Sequence, residues 1–194
     1  MKTVFCFFSS LIFCSLFVSA QETHFGLKAG LNVSSVNVSP GGDYDSKAGL
    51  HIGGLAHIHI SPHFALQPEV VYSMQGGKVD DLKLNLNYIN IPLLAQYMVD
   101  NGFRLQTGPQ LGLLVSSKRE EGDVEVNLKD NFSTVDFSWA FGMGYLFPEG
   151  FGIDARYNLG INDIWDPGSA KMKNSVFQVG LFYQFMHTNA GKRK

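Results

Sequence analysis

Three of the chain's six histidines, His51, His57 and His59, fall within the ten residues 51–60, HIGGLAHIHI. All three occupy odd positions. Two histidines two residues apart on one strand face could hold a metal ion with a third ligand from a neighbouring strand, and Glu69 is the one plausible donor. His59, Ser61 and Glu69 also supply the residue types of a hydrolase acting on lipid. A third chemistry is carried by charge. Lys28, Glu69, Arg104, Asp136, Asp154 and Arg156 each stand among apolar neighbours in alternating segments. They form either a proton or ion path or an internal ion-pair plug. The choice depends on which face of its strand each residue occupies, and on what lies on the other face.

The 194-residue chain opens with a targeting segment. Lys2 gives a positive start, residues 4–18 are an apolar run, and Val18-Ser19-Ala20 is a small-residue cleavage pattern, so residues 1–20 read as a signal peptide cleaved before Gln21. Both cysteines, Cys6 and Cys14, lie inside it, which leaves the remainder without a disulfide, a thiolate metal site or a thiol nucleophile. Removing Lys2 from the 15 Lys and Arg leaves 14 against 17 Asp and Glu, a net charge of −3. That balance argues against a nucleic-acid partner.

After Gln21 the hydrophobic pattern has the two-residue period of β-strands. Eight segments show it, at about 25–34, 50–60, 64–74, 89–99, 103–116, 135–147, 151–161 and 176–185. One phase of these strands is apolar with only four exceptions, Gly54, Pro68, Thr107 and Pro109, none of them charged. The opposite phase is mostly Gly, Asn, Gln, Ser and His with a few charges. Three connections are short (61–63, 100–102 and 148–150) and alternate with long ones at roughly 35–49, 75–88, 117–134 and 162–175. Short turns on one side, long loops on the other and an even strand number describe an eight-stranded antiparallel up-and-down transmembrane β-barrel. Aromatic residues gather toward both ends of the strands, as two interfacial girdles would. A soluble barrel with the apolar phase inside is the rival, but an eight-stranded interior is too narrow for so many aromatics.

In this frame the apolar phase faces lipid and the polar phase faces the lumen. Asp154 falls opposite Gly144 and Arg156 opposite Gly142, so glycine leaves room for each long polar side chain. Lys28, His57, Glu69, Arg104, Asp136, Asp154 and Arg156 then form a lumen network, with Glu69 and Arg156 sharing one set of contacts at mid-height. Buried charges must be paired, so a plug is the favoured reading of the network. The histidines become polar lining, and no catalytic residue, metal or cofactor is assigned. Pro68, Pro92 and Pro109 each remove a ladder hydrogen bond and lead us to expect bulges or local irregularity. The apolar phase also slips from even (Leu84, Leu86, Tyr88) to odd at Ile89, which a bulge at the outer rim would explain. The long loops are the seat of specific interaction. Their candidates are Arg119 and Glu120 in the charged third loop and Trp165 in the fourth.

The segments FGLKAGLNVS (25–34), LQPEVVYSMQGGK (66–78), NYINIPLLAQY (87–97), FRLQTGPQLGLLVS (103–116), FGIDARYNLGINDI (151–164) and VFQVGLFYQF (176–185) together resemble the PorT-like outer-membrane β-barrel family of Gram-negative bacteria. The resemblance implies an outer-membrane barrel over residues 21–185, without catalysis, followed by a polar periplasmic tail at 186–194. It also implies that Leu181, Tyr183 and Phe185 form the terminal signal read by the barrel-insertion machinery. The expected partners are outer-membrane lipid, that machinery, and a protein met by the outer loops; a narrow transport or secretion-accessory role and a lipid-modifying enzyme are the alternatives. The class is tested by fractionation and gel migration: the protein should sediment with outer membrane and migrate faster unheated than boiled. Recovery as a soluble periplasmic protein would refute it.

Overall fold

A computed structural model describes residues 22–39, 45–79, 82–122, 124–165 and 171–185. The expected signal peptide and the expected tail lie outside these residues. Nine strands are present: β1 (Thr23–Ser39), β2 (Asp45–His59), β3 (Phe64–Val79), β4 (Leu82–Met98), β5 (Phe103–Glu121), β6 (Val124–Asn127), β7 (Val135–Leu146), β8 (Phe151–Gly160) and β9 (Lys171–Gln184). A 3₁₀ turn over Lys129–Asn131 precedes β7.

All pairings are antiparallel. Sequential neighbours pair, β5 pairs with β7, β4 with β5, and β1 with both β2 and β9, so eight strands close into a ring. Closure leaves no strand edge, which is the condition for a sheet to cross lipid. The four-residue β6 pairs only with Lys118–Glu121 at the far end of β5 and stands outside the ring. The short turns close with Ile60, Val99 and Phe147 donating their backbone N–H groups to Phe64, Phe103 and Phe151, at 2.9, 2.8 and 2.7 Å. Gly102 and Gly150 end two of these turns with φ of 94° and 91°, a left-handed conformation that glycine adopts without strain.

Burial is reversed relative to a soluble domain. Leu27, Leu31, Ile52, Phe151 and Leu181 on the outer wall are each about 60% exposed or more, at 59, 62, 63, 61 and 66%. Lys28, Glu69 and Arg156 inside are 4, 2 and 2% exposed. Such a surface is stable only in contact with hydrocarbon. Thr107, the polar exception on the lipid face, is satisfied within the wall: its hydroxyl donates to the Ala140 carbonyl at 3.0 Å and accepts the Trp139 indole N–H at 2.9 Å.

Two expectations need correction and one needs narrowing. Among the described residues the long connections at 35–49 and 75–88 are largely strand and 117–134 is half strand, because β1 to β5 run on past the lipid-facing band and pair as ribbons beyond it, the last with β6. The prolines bring the local irregularity expected of them but no bulge. Pro68 faces Leu93, Pro92 faces Gln110 and Pro109 faces Trp139, with the same register on both sides of each. A proline takes away a donor without adding a residue, so pairing lapses locally and resumes unchanged. Finally, β4 does not slip at Tyr88. Its pairing with β3 is regular there, and the register shift lies in the β4–β5 pair, where Val115 of β5 is the extra residue. Leu84, Leu86 and Tyr88 are apolar because they point into the barrel above the membrane, where the inside rather than the outside is dry.

The strand approach beside the prolines depends on glycine. A Cβ on Gly108 would lie 2.1 Å from the Leu93 carbonyl oxygen, whereas one on Gly54 would meet nothing nearer than 3.8 Å. Gly108→Ala should therefore destabilise the barrel by roughly 1–3 kcal/mol. Gly54→Ala should stay within about 0.5 kcal/mol, both read by urea unfolding in lipid vesicles.

Candidate functional site: a charged lumen beneath an apolar cap

The pleat sends every second residue inward, so the lumen is built from one phase of eight strands. Lys28 comes from β1, Glu69 from β3, and Asp154 and Arg156 from β8. Arg156 stands between Gly142 of β7 and Gln178 of β9, and Asp154 between Gly144 and Gly180. The glycines leave the space that these side chains fill.

The four charges meet. Arg156 holds Glu69 with two hydrogen bonds, Nη1 to Oε2 at 2.9 Å and Nη2 to Oε1 at 2.7 Å. Lys28 Nζ lies 3.0 Å from Asp154 Oδ2 and 3.4 Å from Glu69 Oε2. Asp154 Oδ2 is also 3.6 Å from Arg156. Gln67 donates to Glu69 at 2.8 Å and accepts or is approached by His57 Nδ1 at 3.3 Å. Two cations and two carboxylates are cross-braced in a low-dielectric space, with a bidentate arginine at the centre. Nearer the membrane's outer side, Asn32 bonds Ser73 and the Leu50 and Met74 carbonyls, and accepts from Gln178 at 3.0 Å. These amide residues were not singled out from the sequence, although their place in the lumen phase marks them.

The other lumen candidates lie apart. Asp136 faces Gly112 near the outer end and is approached by Asn174 Nδ2 at 3.4 Å. Arg104, toward the short-turn end, lies against the Phe182 ring at 5.5 Å. His57 and His59 sit edge to face with ring centres 4.6 Å apart. Among the described residues no three His, Cys, Asp or Glu side chains are grouped so as to hold a metal ion.

Above the lumen is an apolar cluster: Val36, Leu84, Leu86, Tyr88, Leu114, Phe132, Ile164 and Met172, with Trp165 packed on its edge. Phe132 and Ile164 come from the third and fourth connections, tied by Ser133 N donating to Ile164 O at 2.9 Å. Trp165 is half-buried, edge-on to Phe132 with ring centres 4.9 Å apart. Arg119 and Glu120 lie on β5 rather than in a loop: Arg119 bonds Glu121 at 2.7 Å, and Glu120 accepts from Asn85 at 2.7 Å. Lys47 bridges the β2 and β4 ribbons through Asn85 and the Gln75 carbonyl. Burial lowers its pKa, against the pull of Glu120, with Lys78 and Lys83 lowering it further. On β9, Leu181 and Phe185 face outward, and Tyr183 packs on Phe151 with ring centres 4.7 Å apart.

Arg156→Met would leave Glu69 with Lys28 as its remaining cation and should cost about 3–5 kcal/mol. The joint change Glu69→Met with Arg156→Met should recover most of that loss, because Lys28 and Asp154 remain paired. Tryptophan fluorescence during urea unfolding in vesicles reads both, and a double variant as unstable as the single one would contradict this energy balance.

Comparison with known proteins agrees with this geometry. Residues 19–166 match the model of the outer membrane protein beta-barrel domain family. Neisserial surface protein A is similar in fold, with a TM-score of 0.62 at 17% identity, over 83% of this chain and 97% of that one. Ail, the attachment invasion locus protein of Yersinia pestis, gives 0.52 at 16% identity, over 84% and 99%. No curated protein matches the sequence. A closed antiparallel barrel with a lipid-facing wall, matched by a family model over most of its length, places the chain in the outer-membrane protein β-barrel domain family, and thus in the outer membrane.

Proposed function

We propose that the protein is a non-catalytic, PorT-like outer-membrane barrel that presents a rigid interaction surface to the cell exterior. The observation that carries this is the run of β1 to β5 past the lipid-facing band into paired ribbons, stiffened from within by the apolar cluster around Leu86 and Phe132. A segment held by its own dry core keeps one shape, and a preformed surface loses little entropy on binding a partner. The exposed faces of the β3–β4 and β5–β6 ribbons carry Lys78, Lys83, Arg119 and Glu121, and Trp165 lies at the base of the fourth connection.

Export would follow cleavage before Gln21, and insertion would follow recognition of Leu181, Tyr183 and Phe185 on the last strand. Transport is disfavoured by the cross-braced charges below and the apolar cluster above. Lipid hydrolysis is disfavoured because Glu69 is fully engaged by Arg156, while the Ser61 hydroxyl accepts from Phe64 N at the short-turn end.

Two measurements test the proposal. In planar bilayers the purified barrel should show no steady open channel, and a stable large conductance would overturn the plugged lumen. Crosslinking in intact outer membrane should capture a protein neighbour. Replacing residues 75–86 by a two-residue turn should abolish that crosslink while heat-modifiable migration persists; an unchanged crosslink pattern would contradict a role for the ribbon.

A further inference from the structure

The charges of the lower lumen do not balance. Lys28, Arg104 and Arg156 face Glu69 and Asp154, three cations against two carboxylates. The four charges other than Arg104 are mutually paired. Arg104 is the remainder. It is only 5% exposed, and its Nε and Nη1 are buried with no hydrogen-bond partner.

No carboxylate of the described lumen is paired with it. Asp136 is eight residues further along, opposite Gly112 of the same β5, which is about 26 Å at the rise of a strand. Asp154 is the neighbour across Gly144, where an added Cβ would lie 3.4 Å from both Arg104 Cγ and Asp154 Cβ, but its Oδ2 already serves Lys28 and Arg156 and no ion pair joins it to Arg104. Its Oδ1 points at Gly180, 3.1 Å from where a Cβ would stand. One side of Arg104 is covered by Phe182, whose ring lies over Gly152 and would meet a Cβ there at 2.1 Å. Gln184 Nε2, a further buried donor at this end, lacks a partner; Gln106 Nε2 lacks one too but lies over Gly142, level with Arg156. Gln106 follows Arg104 on the inner face of β5, and Gln184 follows Phe182 on the inner face of β9.

Water can satisfy an N–H group, but it does not neutralise a guanidinium enclosed by a wall in lipid. We infer that the periplasmic end of the lumen binds a small monovalent inorganic anion of halide size, held by the Arg104 guanidinium with the Gln184 amide as a further donor. The ion would complete the charge balance of the plug and lock its lower end.

The test uses the purified, folded barrel in detergent, in sodium chloride against sodium gluconate at equal ionic strength. The midpoint of the heat-induced change in gel migration is read for each. In the wild type, chloride should raise the midpoint saturably, by about 3 °C or more at high occupancy. Arg104→Gln should lose that difference, and Arg104→Lys, which keeps the charge, should retain it. Equal midpoints in both salts for the wild type, or the same chloride effect in Arg104→Gln, would overturn the site. Should Arg104→Gln fail to fold, crystals of the wild type soaked in sodium bromide decide the matter: an anomalous peak beside Arg104 supports the site, and its absence overturns it.

Discussion

Hydrocarbon offers no hydrogen bonds and does not solvate charge, and this constraint organises the whole molecule. The backbone meets it by closing eight strands into a ring. The side chains meet it by facing one way: apolar residues such as Leu31, Ile52 and Leu181 outward, and Asn32, Glu69 and Arg156 inward. Once inward, the charged residues need partners, and the glycines at 142, 144 and 180 give them the room to meet. The Glu69–Arg156 pair follows from that geometry.

The same constraint explains the change at the outer rim. On β1, Val33 faces lipid, but Ser35 and Asn37 continue its phase, while Val36 is fully buried inside. On β4, Ile89 and Ile91 face lipid, while Leu84, Leu86 and Tyr88 above them are buried in the opposite phase. On β9 the change falls between Phe177 outside and Met172 inside. The adjacent strands β1 and β9, and β4 across the ring, thus exchange phases where lipid ends. Below this line the outer wall is apolar; above it, the same sheet encloses an apolar cluster. The register shift at Asn87/Tyr88 falls at this line, and the one between Ser46 and His51 spans it, since Ala48 and Leu50 are level with Val33 and Leu31.

Much of this was open to reading in the sequence. Alternation and turn lengths placed the eight crossing segments, and the opposition of Asp154 to Gly144 and Arg156 to Gly142 followed from one hairpin register. The ribbons were missed because alternation was tracked by its apolar phase, and that phase changes sides above the membrane. Leu84, Leu86 and Tyr88 carried the signal, but they suggest a bulge when lipid is taken to be the only apolar partner. Cross-barrel contacts were harder still. Nothing in strand spacing says that Gln67 reaches Glu69 or that Arg104 turns toward Phe182, since these depend on rotamers and on tilt around the ring. The prolines gave the local irregularity expected of a missing donor but not the bulge, because no residue is added.

The central claim is that the alternating phases face lipid and lumen below the rim and exchange roles above it. The chain has no cysteine beyond Cys14, so single cysteines can be introduced and spin-labelled at Leu105, Gln106, Leu86 and Asn87 in the barrel reconstituted in vesicles. The account predicts that the label at 105 is relaxed by oxygen dissolved in lipid, that 106 and 86 are shielded from both oxygen and an aqueous nickel complex, and that 87 responds to the aqueous complex. Oxygen access at 106 together with shielding at 105, or lipid access at 86, would contradict it.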